Sequence, residues 1–240
     1  MNINFGNRKI VISALVGSWA SNLQTHNSDE DWKYFVSPTF DDLYTGKMFS
    51  HADQSDEFDY DCHDIRQLGN LLWKSNLNFI ITLFSPKYEC DPALQFIFDR
   101  ADEFATMNMP YFCNSTFGMH IEKMSALNKG TAKTDILVEQ FGYDTKQATH
   151  ALRCLFILER VVSGMSLRDA MWFEDGSAHR MMLMDVKRGK FTQGEFESYV
   201  KVWHATNKEN VNGYFSQFVA NEELSLELNQ GIKEFIRINL

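Results

Sequence analysis

The residues with most chemistry to offer lie near the amino terminus. Val16-Gly17-Ser18 is followed, about ten residues on, by Ser28-Asp29-Glu30-Asp31-Trp32. Two aspartates at i and i+2 on a strand point to the same face. Asp29 and Asp31 would therefore present hard oxygen ligands side by side, a set that suits magnesium, or manganese in its place. A third carboxylate from a neighbouring strand would complete a two-metal site, which clamps the attacking and departing oxygens of an in-line displacement at phosphorus. Asp59 and Asp61 are the candidates. Both lie in the acidic stretch Asp59-Tyr60-Asp61-Cys62-His63-Asp64 and share a face of a regular strand, as would Glu57. Glu30 points to the opposite face and is not assigned as a ligand. At the turn, Gly17 lets the backbone approach a phosphate closely. N–H groups opening the following helix can receive phosphate oxygens, and the Ser18 hydroxyl adds a donor. Each piece alone is a common turn or a solvated acidic patch. The order of apolar strand, Gly-Ser, then Asp-x-Asp entering a second strand is what carries weight.

These side chains need strands to hold them. Residues 10–16 form an apolar, β-branched run ending at Gly17, which predicts a buried strand and a turn. Residues 18–23 suit a short helix, and 25–28 a turn. Residues 31–36 alternate imperfectly and predict a second strand, and 58–62 a third. Residues 64–73 carry Ile65, Leu68, Leu71 and Leu72 at helical spacing. Residues 78–84 are apolar and β-rich, fitting a strand or a buried helical turn. From there the pattern is helical, over 93–104, 116–127, 144–162 and 221–238, with a Thr192/Glu195 capping box before a helix at 196–203. This order predicts an α+β fold: a small mixed β-sheet lobe over residues 1–90 and a helical lobe over 91–240.

The longest amphipathic segment, 144–162, holds a second set of chemically able residues. Lys146, His150 and Arg153 fall at i, i+4 and i+7 and form one stripe. Ala148, Leu152, Leu155, Leu158 and Val162 form the opposite, apolar stripe. On periodicity alone the basic stripe is a solvated polar face. Lys187-Arg188-Gly189-Lys190 is a short basic cluster of the kind found at solvated helix ends, able to touch an acceptor nucleic acid. Met181-Met182-Leu183-Met184 and Phe35, Phe79, Phe84, Phe96 and Phe98 suit a core. His51, His63, His120, His179 and His204 show no metal-ligand spacing.

Composition narrows the classes. With 23 Lys and Arg against 32 Asp and Glu, the net charge is −9, which argues against a general nucleic-acid coat but leaves room for a local basic site. No run of 18 apolar residues suggests a membrane span, and the polar residues 1–9 do not resemble a secretory signal. Cys62, Cys90, Cys113 and Cys154 lie far apart, with no CxxC pair. A cytoplasmic protein with reduced cysteines and no structural zinc is expected.

The strand, Gly-Ser and Asp-x-Asp arrangement resembles the nucleotidyltransferases of the DNA polymerase beta superfamily. Three further stretches are similar to one branch, the predicted nucleotidyltransferases described as a polymerase-beta-like family of RNA repair pathways. Asp59-Tyr60-Asp61-Cys62-His63-Asp64-Ile65-Arg66 resembles its acidic strand running into an "Asp-Leu-Arg-Lys" helix. Lys74-Ser75-Asn76 through Leu83-Phe84-Ser85-Pro86 resembles its "Lys-Ser-Asn-Pro…Leu-Phe-Ser-Pro" segment. Tyr143-Asp144-Thr145-Lys146 through His150 and Arg153 resembles its "Asp-x-Lys-x-x-x-His-x-x-Arg" helix. The matches run from about residue 10 to about residue 190. The chain departs from the branch at Asn76-Leu77, where the branch has Asn-Pro, and at the apolar Phe79-Ile80-Ile81-Thr82, where it has an acidic residue.

The resemblance implies magnesium (or manganese) held by Asp29, Asp31 and Asp59, with Asp61 the alternative third carboxylate. It implies that Gly17, Ser18, Lys146, His150 and Arg153 bind the nucleotide, with Lys146 and Arg153 on the β- and γ-phosphates of a nucleoside triphosphate such as ATP. The implied reaction transfers a nucleoside monophosphate to an acceptor hydroxyl on an RNA end, a protein or a small molecule, and releases pyrophosphate. Two rival functions fit the same fold. One is a non-catalytic nucleotide-binding regulatory protein; the other is a toxin- or antitoxin-like module acting on one protein or tRNA.

Overall fold

The structure is a computed structural model that describes residues 5–26, 28–54, 58–131 and 134–239. In chain order its elements are β1 (Ile10–Leu15), β2 (Glu30–Val36), α1 (Phe40–Thr45), β3 (Ser50–Gln54), β4 (Phe58–Asp64), α2 (Leu68–Trp73), α3 (Leu77–Leu83), β5 (Tyr88–Cys90), α4 (Gln95–Asp99) and α5 (Ala101–Thr106). Helices alone follow: α6 (Met109–Ser125), α7 (Asp135–Phe141), α8 (Thr145–Val162), α9 (Leu167–Met171), α10 (Ala178–Lys187), α11 (Gln193–Phe215) and α12 (Glu222–Asn239). The fold is α+β, as the order of patterns predicts.

The chain divides into two compact units, residues 1–108 with 220–240, and residues 109–219. The division differs from the one expected near residue 90: the first unit keeps α4 and α5 and recruits α12 from the far end of the chain. The reason is the apolar stripe of α12. Leu224, Leu228, Ile232 and Phe235 are buried, and the helix packs on α2 and α5. At Gly69 of α2 a Cβ would come within 2.2 Å of the Asn229 side chain, so only glycine admits α12 this closely. Arg100 also pairs with Glu227.

The sheet of the first unit has the order β3-β4-β2-β1-β5. β2 and β4 run parallel, and the other neighbours are antiparallel. A parallel pair needs a crossover, which the chain makes through α1 and β3. The register sets Asp31 beside Asp59, Lys33 beside Asp61 and Phe35 beside His63. These six residues line one face, since side chains alternate along a strand. On the opposite face Phe5, Val36 and Cys62 form a buried cluster with Tyr34, Phe49 and Tyr60. Strand β1 is apolar on both sides: Val11, Ile12, Ala14 and Leu15 are all buried, as a continuous hydrophobic run requires.

Residues 78–84 resolve as a helix rather than a strand. Asn76 caps α3 by accepting from the Asn78 N–H at 2.9 Å, and Leu77, Ile80 and Ile81 are buried at helical spacing. The helix expected over 93–104 is broken at Arg100 into α4 and α5. Strands β3 and β5 and helices α1, α7, α9 and α10 were not anticipated.

In the second unit α8 is the central helix, packed on α6, α9, α10 and α11. Residues 151–158 are buried without interruption. Its start is fixed by Asp144, whose carboxylate accepts from Gln147 N–H at 2.9 Å and whose own N–H donates to Leu127 O at 2.7 Å. The Thr192/Glu195 capping box forms as expected at the head of α11. The methionine cluster is only partly core: Leu183 and Met184 are buried and Met181 is exposed. Among the described residues no helix is long and apolar enough to cross a membrane.

Candidate metal centre

The centre is built where β1 hands over to β2. One residue beyond β1, Val16 N–H donates to Asp31 O at 2.8 Å, keeping the chains together up to the turn. Gly17 then takes φ +64°, a left-handed conformation that disfavours any side chain. A Cβ on Gly17 would lie 1.8 Å from Asp31 Oδ2 and 2.7 Å from its Cγ. The structure thus gives Gly17 a role that spacing did not reveal: it makes room for the Asp31 carboxylate. Ser18 leads into a single 3-10 turn over Trp19–Ser21 and makes no side-chain capping bond there. Trp19 Nε1–H donates to the main-chain oxygen of Asp29 at 3.0 Å. Asp29 stands just before β2, so this bond fixes its main chain where the sheet ladder does not reach. Sequence reasoning missed Trp19; a tryptophan in a polar turn, needing a partner for its indole N–H, was the available signal.

Asp31 lies in β2, and the parallel register brings Asp59 of β4 directly alongside. Asp29, Asp31 and Asp59 converge: one carboxylate oxygen from each lies within 4.8 Å of the others, and all three residues are half-buried. Oxygens sharing one magnesium lie about 3–4 Å apart at bond lengths near 2.1 Å. Small side-chain adjustments therefore close the triad on a divalent cation. Three anionic oxygens form a hard donor set, of the kind magnesium and manganese take. The group fits the expected ion.

Asp61 is held elsewhere. Its Oδ2 accepts from Lys33 Nζ at 2.6 Å, and its Oδ1 lies 2.8 Å from His63 Nε2. Burial alone would raise the Asp61 pKa, but His63 and Lys33 outweigh it and hold the carboxyl down at about 2. Lys33 is itself buried, its ammonium 4.3 Å from the centre of the Phe79 ring. His63 meets the same ring edge-on at 5.1 Å. Of the two acidic candidates, Asp59 joins the pair and Asp61 joins a lysine. Glu57 lies outside the described residues. Lys33 has no part in the sequence reading, and His63 enters it only as a histidine without metal-ligand spacing. A lysine at a core-facing strand position, two residues past Asp31, was the clue to a buried charge partner.

Lys146, His150 and Arg153 all lie on α8 of the second unit, and they do not form a solvated face. Lys146 is exposed, His150 half-buried and Arg153 buried. Burial, and then the positive charges of Arg153, Lys146, Lys123 and Lys187, push the His150 pKa well below its usual value. Its imidazole is neutral at physiological pH and can both donate and accept a hydrogen bond. Lys123 and Lys187, on α6 and α10, join this basic cluster through tertiary packing, which no local spacing reveals.

No family model matches the chain, and no curated protein matches it.

Proposed function

We propose that the Asp29/Asp31/Asp59 centre is the active site of a metal-dependent nucleotidyltransferase. It would transfer a nucleoside monophosphate from a nucleoside triphosphate to an acceptor hydroxyl, releasing pyrophosphate. The observation that carries this is the convergence of three carboxylates, from a turn and two parallel strands, with a glycine that leaves room for one of them, Asp31. Bound there, magnesium or manganese would supply charge for the attacking and departing oxygens of the displacement.

The chain's own groups have separate tasks. Asp29, Asp31 and Asp59 hold the ion. Trp19 orients the Asp29 main chain. The Gly17-Ser18 turn offers backbone N–H groups and a hydroxyl to phosphate oxygens. Lys146 and Arg153 are assigned to phosphate by their charge and by the sequence resemblance, and His150 to hydrogen bonding as a neutral imidazole. Asp61, tied to Lys33, has no ligand role. The acceptor is an RNA end, a protein side chain or a small molecule.

The test is pyrophosphate release from each of the four ribonucleoside triphosphates, with α-phosphate label followed into RNA, protein and small-molecule fractions. Asp29→Ala, Asp31→Ala and Asp59→Ala should each abolish release while remaining folded. Wild-type rates in folded variants would overturn the assignment. Metal-dependent triphosphate binding without transfer to any fraction would assign the centre to nucleotide sensing instead.

A further inference from the structure

We infer that Lys33 is a positioning residue that sets how strongly the triad holds its metal: by tethering and neutralising Asp61, it leaves the face with three available carboxylates instead of four. This rests on the metal-centre reading above. Lys33 and Asp61 are register partners on parallel strands, each two residues along from a triad member, Asp31 and Asp59, on the same face. Two residues of strand span about 6–7 Å, so the pair sits within strong Coulombic reach of an ion at the triad. Asp61 is 40% exposed and otherwise able to swing, whereas the Lys33 side chain is only 5% exposed. Phe79 covers the ammonium at 4.3 Å. The lysine is thus the fixed member and Asp61 the tethered one, with His63 at its second oxygen. A buried ammonium is costly to desolvate and occurs where a carboxylate compensates it. Here the compensated carboxylate is the one that would otherwise overload the metal face.

The pair carries no net charge, so its field at the triad is small while it is intact. Removing one partner exposes the other. A unit charge about 6–7 Å from a divalent ion, even at the dielectric constant of water, changes its binding constant by about tenfold.

The test is titration with Mn2+ at low ionic strength, with free ion followed by electron paramagnetic resonance and folding by circular dichroism. Lys33→Met should bind Mn2+ about tenfold more tightly than wild type, and Asp61→Asn about tenfold more weakly. The double variant should return to within about twofold of wild type. Unchanged or weaker binding by folded Lys33→Met overturns the role. So does a double variant as weak as Asp61→Asn, which would make Asp61 a direct ligand. If Lys33→Met does not fold, Lys33→Gln takes its place in the single and double variants with the same expected outcomes, and unchanged affinity in Asp61→Asn overturns the role. A wild-type chain that binds no Mn2+ overturns the metal centre itself. Wild-type binding that Lys33→Met leaves unmoved overturns only the part given to Lys33.

Discussion

Gly17→Ala puts a methyl group where the Asp31 carboxylate sits. The new Cβ would fall 1.8 Å from Asp31 Oδ2, and real Cβ atoms do not come closer than 3.0 Å to a neighbour, so one of the two must move by at least about 1.2 Å. The side chain is the softer partner, because the backbone at 16–17 is held by the Val16 N–H bond to Asp31 O. Alanine must also adopt φ +64°, which costs about 1–2 kcal/mol. For a chain of this size that lowers Tm by roughly 2–8 °C. The larger effect falls on function, since displacing a catalytic group by about 1 Å costs on the order of a hundredfold in rate. Gly17→Ala should therefore stay folded, bind Mn2+ at least tenfold more weakly and release pyrophosphate about a hundredfold more slowly. Calorimetric metal titration and a pyrophosphate assay measure both. In an Asp31→Gly background the same substitution should cost only the backbone strain, because the carboxylate it strikes is gone. A Gly17→Ala protein with wild-type metal affinity and rate would refute the argument that this glycine exists to seat Asp31.

Other consequences are open to measurement. Trp19→Phe removes the indole bond to Asp29 O and should lower stability by about 1 kcal/mol, with metal affinity falling several-fold; an unchanged Mn2+ titration would show that Asp29 needs no such support. His120 is buried, its Nδ1 2.9 Å from Ala151 O and its Nε2 3.0 Å from His204 Nε2. Burial is the main cause that lowers its pKa from 6.5 to about 4. Between those values the unfolded chain binds the proton and the folded chain does not. Stability should therefore be full above pH 6.5 and decline as pH falls to 4, by about 3 kcal/mol in all; His120→Gln should flatten that part of the Tm-versus-pH curve. Asp42 is buried and pairs with Arg8 at 2.7 Å, chiefly through which its pKa lies well below the carboxylate range. Asp42→Ala should cost about 3 kcal/mol in urea denaturation, whereas breaking the exposed Arg237–Glu234 pair should cost about 0.5 kcal/mol or less.

Local signals made much of this protein legible from its sequence. Strand β1, strand β2, helix α8 and the capping box at Thr192 and Glu195 all follow from periodicities and caps that act within a few residues, and the nearness of Asp29 to Asp31 follows from their adjacency in the sequence, although Asp29 stands before the strand. Tertiary structure decided the rest, for reasons that are not local. Asp59 and Asp61 are equivalent by spacing, and only the parallel register with β2 sets one beside Asp31 and the other beside Lys33. Gly17 reads as a generic turn glycine until the Asp31 carboxylate is folded against it. Arg153 sits on a stripe that reads as solvated and is buried because α8 is packed by other helices of its unit, α6, α9, α10 and α11 among them. Helix α12 joins residues 1–108 because its apolar stripe finds α2 and α5 far back along the chain. Periodicity says which face of an element must be buried. Only the assembled chain says against what, and that choice separates a member of the acidic triad, Asp59, from a lysine's counter-ion two residues away.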